Sequence, residues 1–349
     1  MNEQVWLGVI AIIIGVAIGI VLFVPFVAIA YRRHGGLTLG RFILWAAALV
    51  YFLAIWTYTL LPLPDPDAIS CAGTNLNLMA FVDDIRGAIA RPGNTLRDPA
   101  FLQLALNVVL FVPLGFFLRV LGGRGILVAL FVGLGISVFI ETTQLTGVWG
   151  VYPCAYRVFD VDDMLTNTTG AVLGSVLSLV VPKHLRGSKA AADAGEPRPV
   201  TRGRRFVDAL CDFIAVMLVE YSIGLGVQIW LLSVQGWEIA DASPVSSFVS
   251  IAATAGIWLI VVLVTGRTIG DLAVQLEYRG GPLPVWLARI LRYLGGIGGF
   301  VLLGLVPGGG LLQPFFALAW FTFLFLTRGS RGLPGLLSAQ DLTDARTPR

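Results

Sequence analysis

Several polar side chains fall at one depth of otherwise apolar segments, and these are the residues with the means to do chemistry. Glu141 and Gln144 lie three apart at the end of one apolar run, and Asp163 and Asn167 lie four apart at the start of another. Each pair therefore shares a helical face. Asn107 enters a third run, and Arg157, Asp160 and Asp162 arrive just ahead of Asp163 in R-V-F-D-V-D-D. At a rise of about 1.5 Å per residue, the set converges in the outer third of a bilayer, where polar groups are costly and invite a functional reading.

Two kinds of chemistry suit these residue types. Glu141 and Asp163 serve as bases or as oxygen ligands of a divalent cation, with Arg157 holding an anionic group. Asn77, Asn107, Gln144, Asp160 and Asn167 then bind and orient the ligand. The competing reading is a satisfied network of amides and acids that glues helices together. The only histidines, His34 and His184, fall on the opposite side by the topology derived below, so a Ser-His triad at this site is excluded. No cofactor is assigned by the sequence, and a metal is left open.

The elements that carry these residues follow from composition. The chain has 349 residues, 56% hydrophobic and 13% charged, with mean hydropathy +0.83. That is too apolar for a soluble globule. Runs long enough to cross roughly 30 Å of hydrocarbon recur, and the pattern predicts an all-α polytopic membrane protein with about nine transmembrane helices in two bundles. The expected spans are Gln4–Ala30, Arg41–Leu61, Leu102–Leu121, Gly125–Leu145, Met164–Val181, Phe206–Leu232, Phe248–Val264, Ile290–Val306 and Leu311–Leu326.

Basic Arg32 and Arg33 follow the first span, which predicts an extracytoplasmic N-terminus and a cytoplasmic C-terminus. Carried along the chain, this orientation places all but Arg86, Arg91, Arg97 and Arg157 of the 24 Lys and Arg residues in the cytoplasm. Such a bias is what positive-inside insertion produces. The formal charge of +3 is then read as basic flanks against membrane lipid, and nucleic acid is not an expected partner. Cys71 and Cys154 fall in the two extracytoplasmic loops of the first bundle, where an oxidising compartment allows a disulfide between them; the alternative is two free thiols.

A composition shift marks the domain boundary. Residues 1–181 read as a five-span membrane domain and 182–204 as a flexible basic cytoplasmic linker. Residues 205–335 read as a smaller membrane domain, and 336–349 as a disordered cytoplasmic tail. The first outer loop, from Pro62 to Ala100, opens with the turn-rich L-P-L-P-D-P-D. It continues as N-L-N-L-M-A-F-V-D-D-I-R, which suits an interfacial helix or a re-entrant segment.

Four blocks then form a recognisable series: N-L-M-A-F at 77–81, N-V-V-L-F-V-P-L-G at 107–115, E-T-T-Q at 141–144, and R-V-F-D-V-D-D-M-L-T-N-T-T-G-A-V-L-G at 157–174. In this order they resemble the VanZ-like family, with Ala80 where a proline is expected. The resemblance implies a polytopic bacterial plasma-membrane protein with a cell-envelope role, since the founding member is an accessory factor in teicoplanin resistance. The second domain opens R-R-F-V-D-A-L-C-D-F, with Arg205 and Asp212, and resembles the RDD family. Its closing R-G-L-P-G-L-L carries Pro334-Gly335 where that family has an acid, leaving Asp271 as a substitute.

Three functions are compatible with these residues. The first is a protein that binds or modifies an anionic or lipid-linked wall component at the outer leaflet, with membrane lipid, a cell-wall precursor or a glycopeptide-related ligand as partner. The second is an ion-coupled transporter using Asp212 and Glu220, eight residues apart on one helix. The third is a non-catalytic scaffold.

Overall fold

Long apolar stretches closed by glycine, proline and capping side chains make the helix the dominant element, at 72% of the described residues, and the fold is all-α. The computed structural model describes residues 3–61, 63–65, 69–91, 94–183, 186–187 and 190–348. Pro62 and Pro66–Ala68 of the proline-rich stretch, His184, Leu185, Ser188 and Lys189 of the expected linker, and Arg349 lie outside the described residues.

Among the described residues, seven helical segments are long and apolar enough to cross a membrane, and an eighth exists if one bent pair is counted as a single span. Nine were expected. The difference lies in the fifth, where α7 (Val161–Leu177) holds 17 residues, about 26 Å by the usual rise, before a 3-10 turn at Ser178–Val180. The eighth expected span is broken: α11 (Val285–Leu294) and α12 (Ile297–Leu303) meet at 57° across Gly295 and Gly296. Consecutive glycines remove the side-chain restraint that keeps a helix straight.

The chain divides into two units, residues 1–19 with 39–189 and residues 20–38 with 190–349. The division differs from the expected boundary because α1 (Glu3–His34) contributes to both.

In the first unit, α2 (Leu39–Leu60), α4 (Pro99–Val120), α5 (Ile126–Leu145) and α7 surround Ile55, Phe111, Leu114, Ile140 and Ala171. The tightest contact is between α4 and α7. A methyl group on Gly115 would collide with the Ala171 carbonyl, one on Gly170 with the Val108 carbonyl, and one on Gly174 with the Val112 carbonyl. On α5, a methyl on Gly133 would sit 2.6 Å from Ala171 Cβ. This small-residue stripe brings backbones together where lipid offers no hydrophobic drive for association.

Loops are tied down over one end of this bundle. Strand β1 (Thr74–Asn75) pairs in parallel with β2 (Phe159–Asp160), in register Thr74 to Phe159. The Ala72 N–H donates to the Ala155 carbonyl at 2.8 Å, and Cys71 and Cys154 are joined in a disulfide with Cα atoms 5.5 Å apart. Short helices α3 (Ala80–Ala90) and α6 (Gly147–Gly150) complete the loops.

The second unit packs α8 (Arg202–Ser233), α9 (Ile239–Thr265), α11, α12 and α13 (Gln313–Leu326) around Trp258, Val216, Val262, Tyr293 and Leu324. Helix α9 starts nine residues before the expected Phe248, because its first turns carry Asp241, Ser243, Ser246 and Ser247 and escape a hydropathy reading.

A second core joins α1 residues Val27 and Tyr31 to Cys211, Val274, Leu276 and Leu342. Here α10 (Ile269–Val274) leads into β3 (Leu276–Arg279), which pairs antiparallel with β4 (Asp341–Asp344) beyond α14 (Gly332–Ser338). Residues 341–344 were expected in a disordered tail. They fold because the buried Arg204 guanidinium gathers Asp344 at 2.7 Å, the Val274 and Gln275 carbonyls at 2.7–3.0 Å and the Arg198 carbonyl at 3.2 Å. The same hub holds residues 198–204 of the expected flexible linker, where Asp344 also accepts from the Arg198 N–H at 3.0 Å.

Two outcomes follow from this packing. Replacing Gly174 by Val forces α4 and α7 apart and destabilises the first unit by at least the ~1–3 kcal/mol typical of overpacking. The measurement is the thermal midpoint and monodispersity of purified protein, and an unchanged midpoint would show that the stripe is not a packing constraint.

Burial alone would raise the Asp344 carboxyl, but hydrogen bonds from the Arg346 side chain and N–H, the Arg198 N–H and Arg204 hold it well below the usual carboxylate range. A depressed folded pKa contributes stability fully above the unfolded value of about 3.9 and loses it as pH falls through the folded one. Asp344→Asn therefore melts below wild type at pH 7 and pH 5, with the gap narrowing below about pH 4. A gap that stays constant down to pH 3 would overturn this account.

Candidate functional site

Asp160 ends β2 and begins α7, so one residue joins sheet, helix and site. Its N–H donates to Glu141 Oε2 at 2.9 Å, its Oδ1 accepts the Asp162 N–H at 2.8 Å as the N-cap of α7, and its Oδ2 accepts from Asn75 Nδ2 at 3.1 Å. Such side-chain caps occupy N–H groups that the first helical turn leaves open.

Asp162 is turned the other way. Its two carboxylate oxygens accept the Met79 N–H at 2.7 Å and the Phe81 N–H at 2.9 Å. The first turn of α3 is thus held by an acid 83 residues from Met79, and Met79 takes a left-handed φ of 72° there. A carboxylate at a helix N-terminus also meets the favourable end of the helix dipole.

On the helices themselves, Asn107 Nδ2 of α4 donates to Asp163 Oδ1 of α7 at 2.5 Å, and Asn167 Nδ2 donates to Ser137 Oγ of α5 at 2.9 Å. Asn167 Oδ1 and Thr168 Oγ1 are buried without a hydrogen-bond partner among the described residues. Glu141 is 3% exposed. The structure therefore brings Glu141, Asp160, Asp163, Asn107 and Asn167 to the same end of α4, α5 and α7.

Other expected residues have different tasks. Gln144 Nε2 donates to the Thr59 carbonyl at 2.7 Å, and Arg157 donates to the Thr59 and Leu61 carbonyls at 3.2 and 3.0 Å. Both close the C-terminal end of α2, whose last carbonyls lack partners within the helix. Arg157 was expected to grip an anion, but its two Nη atoms serve this end. Asn77 is exposed, and its backbone N–H donates to Asn75 Oδ1 at 3.2 Å. Among the described residues no three His, Cys, Asp or Glu side chains are grouped to hold a metal ion.

The sequence reading passed over Asn75, Ser137 and the loop-holding role of Asp162. Asn75 stands two residues before Asn77 in N-L-N, where either amide fits the pattern and only the strand register distinguishes them.

The second unit has a separate polar cluster. Buried Arg205 pairs with Asp208 and, at 3.4 Å, with Asp271, and donates to the Tyr278 hydroxyl at 2.8 Å. The Tyr278 hydroxyl in turn donates to the Arg331 carbonyl at 2.8 Å, and burial raises this phenol above its ordinary range. Asp212 accepts the Gly270 N–H at 2.8 Å instead of pairing with Arg205, and Asp271 forms a capping box with Thr268 at the start of α10. Asp208 was readable from the sequence, since it follows Arg205 by three residues on one helical face.

A family model described as VanZ/LLP1 matches residues 45–182, so this segment, which contains the whole first cluster, is a VanZ-like domain. With its apolar helices the chain is a multi-pass membrane protein. The match ends before α8, and the RDD resemblance has no counterpart in it. No curated protein matches the chain, and no solved structure does.

Removing the acid that holds the loop gives a local readout. Asp162→Ala removes two hydrogen bonds to a charged group, each worth about 1.5–3 kcal/mol. Amide exchange at Met79 and Phe81 is expected to rise at least about tenfold while protection in α4 and α5 persists. Unaltered exchange at both amides would show that Asp162 does not hold the α3 turn.

Proposed function

We propose that the VanZ-like unit is a binding module of the bacterial plasma membrane that seats the polar head of a lipid-linked cell-wall component at the outer leaflet. The observation that supports this most is the pair of acids Glu141 and Asp163. Each sits among helices with an amide or backbone N–H donor, and neither has a cationic partner within 4 Å among the described residues.

Carboxylates taken from water without a counter-charge are costly, and further donors offset that cost. Hydroxyl or ammonium groups of a glycan or peptide head supply such donors. Asn107 and Asp160 orient the two acids, while Arg157 fixes the end of α2 and lends positive charge to the rim. The lipid tail lies along the apolar faces of α4 and α5, where Leu106, Val109, Phe131 and Val138 are exposed.

In this reading the N-terminus and the disulfide-linked loops are extracytoplasmic and the C-terminus is cytoplasmic, as the distribution of Arg and Lys favours. The Arg205 network is the feature that supports an RDD-like second module. Glycopeptide tolerance is the phenotype to which the family resemblance points.

The test is teicoplanin susceptibility in cells lacking the protein and in cells carrying wild type, Glu141→Gln or Asp163→Asn, with membrane abundance measured in each. Both variants are expected to reach wild-type abundance and to fall to the susceptibility of cells lacking the protein. Wild-type tolerance in both variants would sink the reading. So would a fall in abundance that accounts for the loss, because the cluster would then be packing glue.

A further inference from the structure

The second unit contains an open cavity of about 550 Å³ whose walls include Glu277, Tyr278, Arg279, Arg289, Arg292 and Gln340. Three guanidinium groups against one carboxylate leave an excess of two positive charges at the walls. The carboxylate is itself shared, since Glu277 pairs with Arg267 at 2.7 Å and with Arg279 at 3.1 Å.

The hydrogen bonds of Arg289 and Arg292 go to neutral groups. Arg289 donates to the Leu263 carbonyl at 2.5 Å, Arg292 donates to the Gly266 carbonyl, and the Arg292 guanidinium lies 4.9 Å from the Tyr278 ring centroid. Neither has a carboxylate within 4 Å among the described residues. Asp271, outside the cavity walls, is paired with Arg205 at 3.4 Å. Arg292 is only 3% exposed, its Nε has no hydrogen-bond partner among the described residues, and Asp271, the carboxylate that acts on it from beyond ion-pair distance, is shared with Arg205. A buried cation in this position calls for an anion.

The place of the cavity narrows the choice of anion. Its wall includes Thr265 and Gly266, where membrane-length α9 ends, so it lies at the level of the lipid head groups. Helix α11 borders it as an amphipathic element, with Val285, Arg289 and Arg292 at the cavity wall and Trp286 exposed beside them. That combination of basic and aromatic side chains belongs to a helix lying in a membrane interface. Guanidinium forks match the geometry of phosphate oxygens, and the volume is within the range of small-ligand sites.

We propose that this cavity binds a phosphate group presented by the head of an anionic phospholipid, with Arg289 and Arg292 as its principal ligands and Arg279 at the rim. Gln340 closes the wall through its donation to the Gly280 carbonyl at 3.3 Å, and Arg279 is steadied by the Thr347 carbonyl at 2.8 Å. The site is separate from the acid cluster of the VanZ-like unit and does not depend on how that cluster is used.

The experiment titrates the purified full-length protein in neutral detergent with short-chain phosphatidylglycerol, with diacylglycerol of the same chains, and with inorganic phosphate. Phosphatidylglycerol is expected to bind and diacylglycerol not to. Arg289→Gln is expected to weaken binding about tenfold, the size of one lost charge-assisted hydrogen bond. Arg279→Gln serves as the second variant, because Arg292 also holds the end of α9 and its loss bears on folding. Arg328→Gln, outside the cavity, is the control and is expected to bind as wild type.

Inorganic phosphate that displaces the lipid supports a site reading the phosphate itself, and phosphatidylglycerol binding without phosphate competition supports a site that also needs the glycerol backbone. Equal binding of diacylglycerol, wild-type affinity in both Arg289→Gln and Arg279→Gln, or an equal loss in Arg328→Gln overturns the proposal.

Discussion

The first unit depends on how closely two helix backbones approach. Gly115 on α4 and Gly170 and Gly174 on α7 place each helix against the carbonyls of the other, and no side chain larger than hydrogen fits at any of the three. The consequence extends beyond packing. With that approach fixed, Asn107 of α4 is held opposite Asp163 of α7. The start of α7 then sits where Asp160 reaches Glu141 on α5 and Asn75 on the outer loop. A wider separation of α4 and α7 would pull the acids away from the amides that hold them.

Arg204 and Arg205 of the second unit and the acids of the first handle buried charge differently. In the second, Arg204 and Arg205 each meet a carboxylate, and further guanidinium donors go to carbonyls or to Tyr278, while Arg205 Nε has no partner among the described residues. Breaking such a pair leaves an uncompensated ion, so these contacts are strong constraints on structure even where their net contribution to stability is small. In the first, Asp163 accepts from the Asn107 amide and Glu141 from the Asp160 N–H, and no cation lies within 4 Å of either among the described residues. A hydrogen bond from a neutral donor lowers the cost of burying a carboxylate but does not cancel its charge. These acids are therefore less fully compensated than the members of a structural ion pair.

Much of this was legible in the sequence because the signals were local or forced. Apolar run length sets helix number to within one or two, and helical spacing brings Glu141, Asp163 and Asn167 to one end of the bundle, while Gln144, on the face of Glu141, turns to the Thr59 carbonyl. The Gly170 and Gly174 stripe announces a close helix contact. What escaped was long-range or breaks a simple hydropathy rule. Asp162 bonds to Met79 and Phe81, and nothing in R-V-F-D-V-D-D says which acid turns toward the loop and which toward the membrane helices. The pairing of β3 with β4 depends on Arg204 reaching Asp344, 140 residues away, in a segment whose composition resembles a disordered tail.

Arg157 shows why residue type and depth underdetermine a role. A lone arginine among acids at a membrane surface reads as an anion receptor, yet α2 ends there with carbonyls that need donors, and two of Arg157's Nη atoms go to them. The demand of a helix terminus for partners is present in every fold, whereas a ligand is present only part of the time, so a conformation serving the terminus is the resting one. The first unit's acids face the reverse balance: no backbone group in the fold can supply a cation. Under the proposed binding role their remaining capacity is for donors from outside the chain, and the contrast between an arginine bonded to carbonyls and acids outside any ion pair is what favours a ligand rich in hydroxyl or ammonium groups.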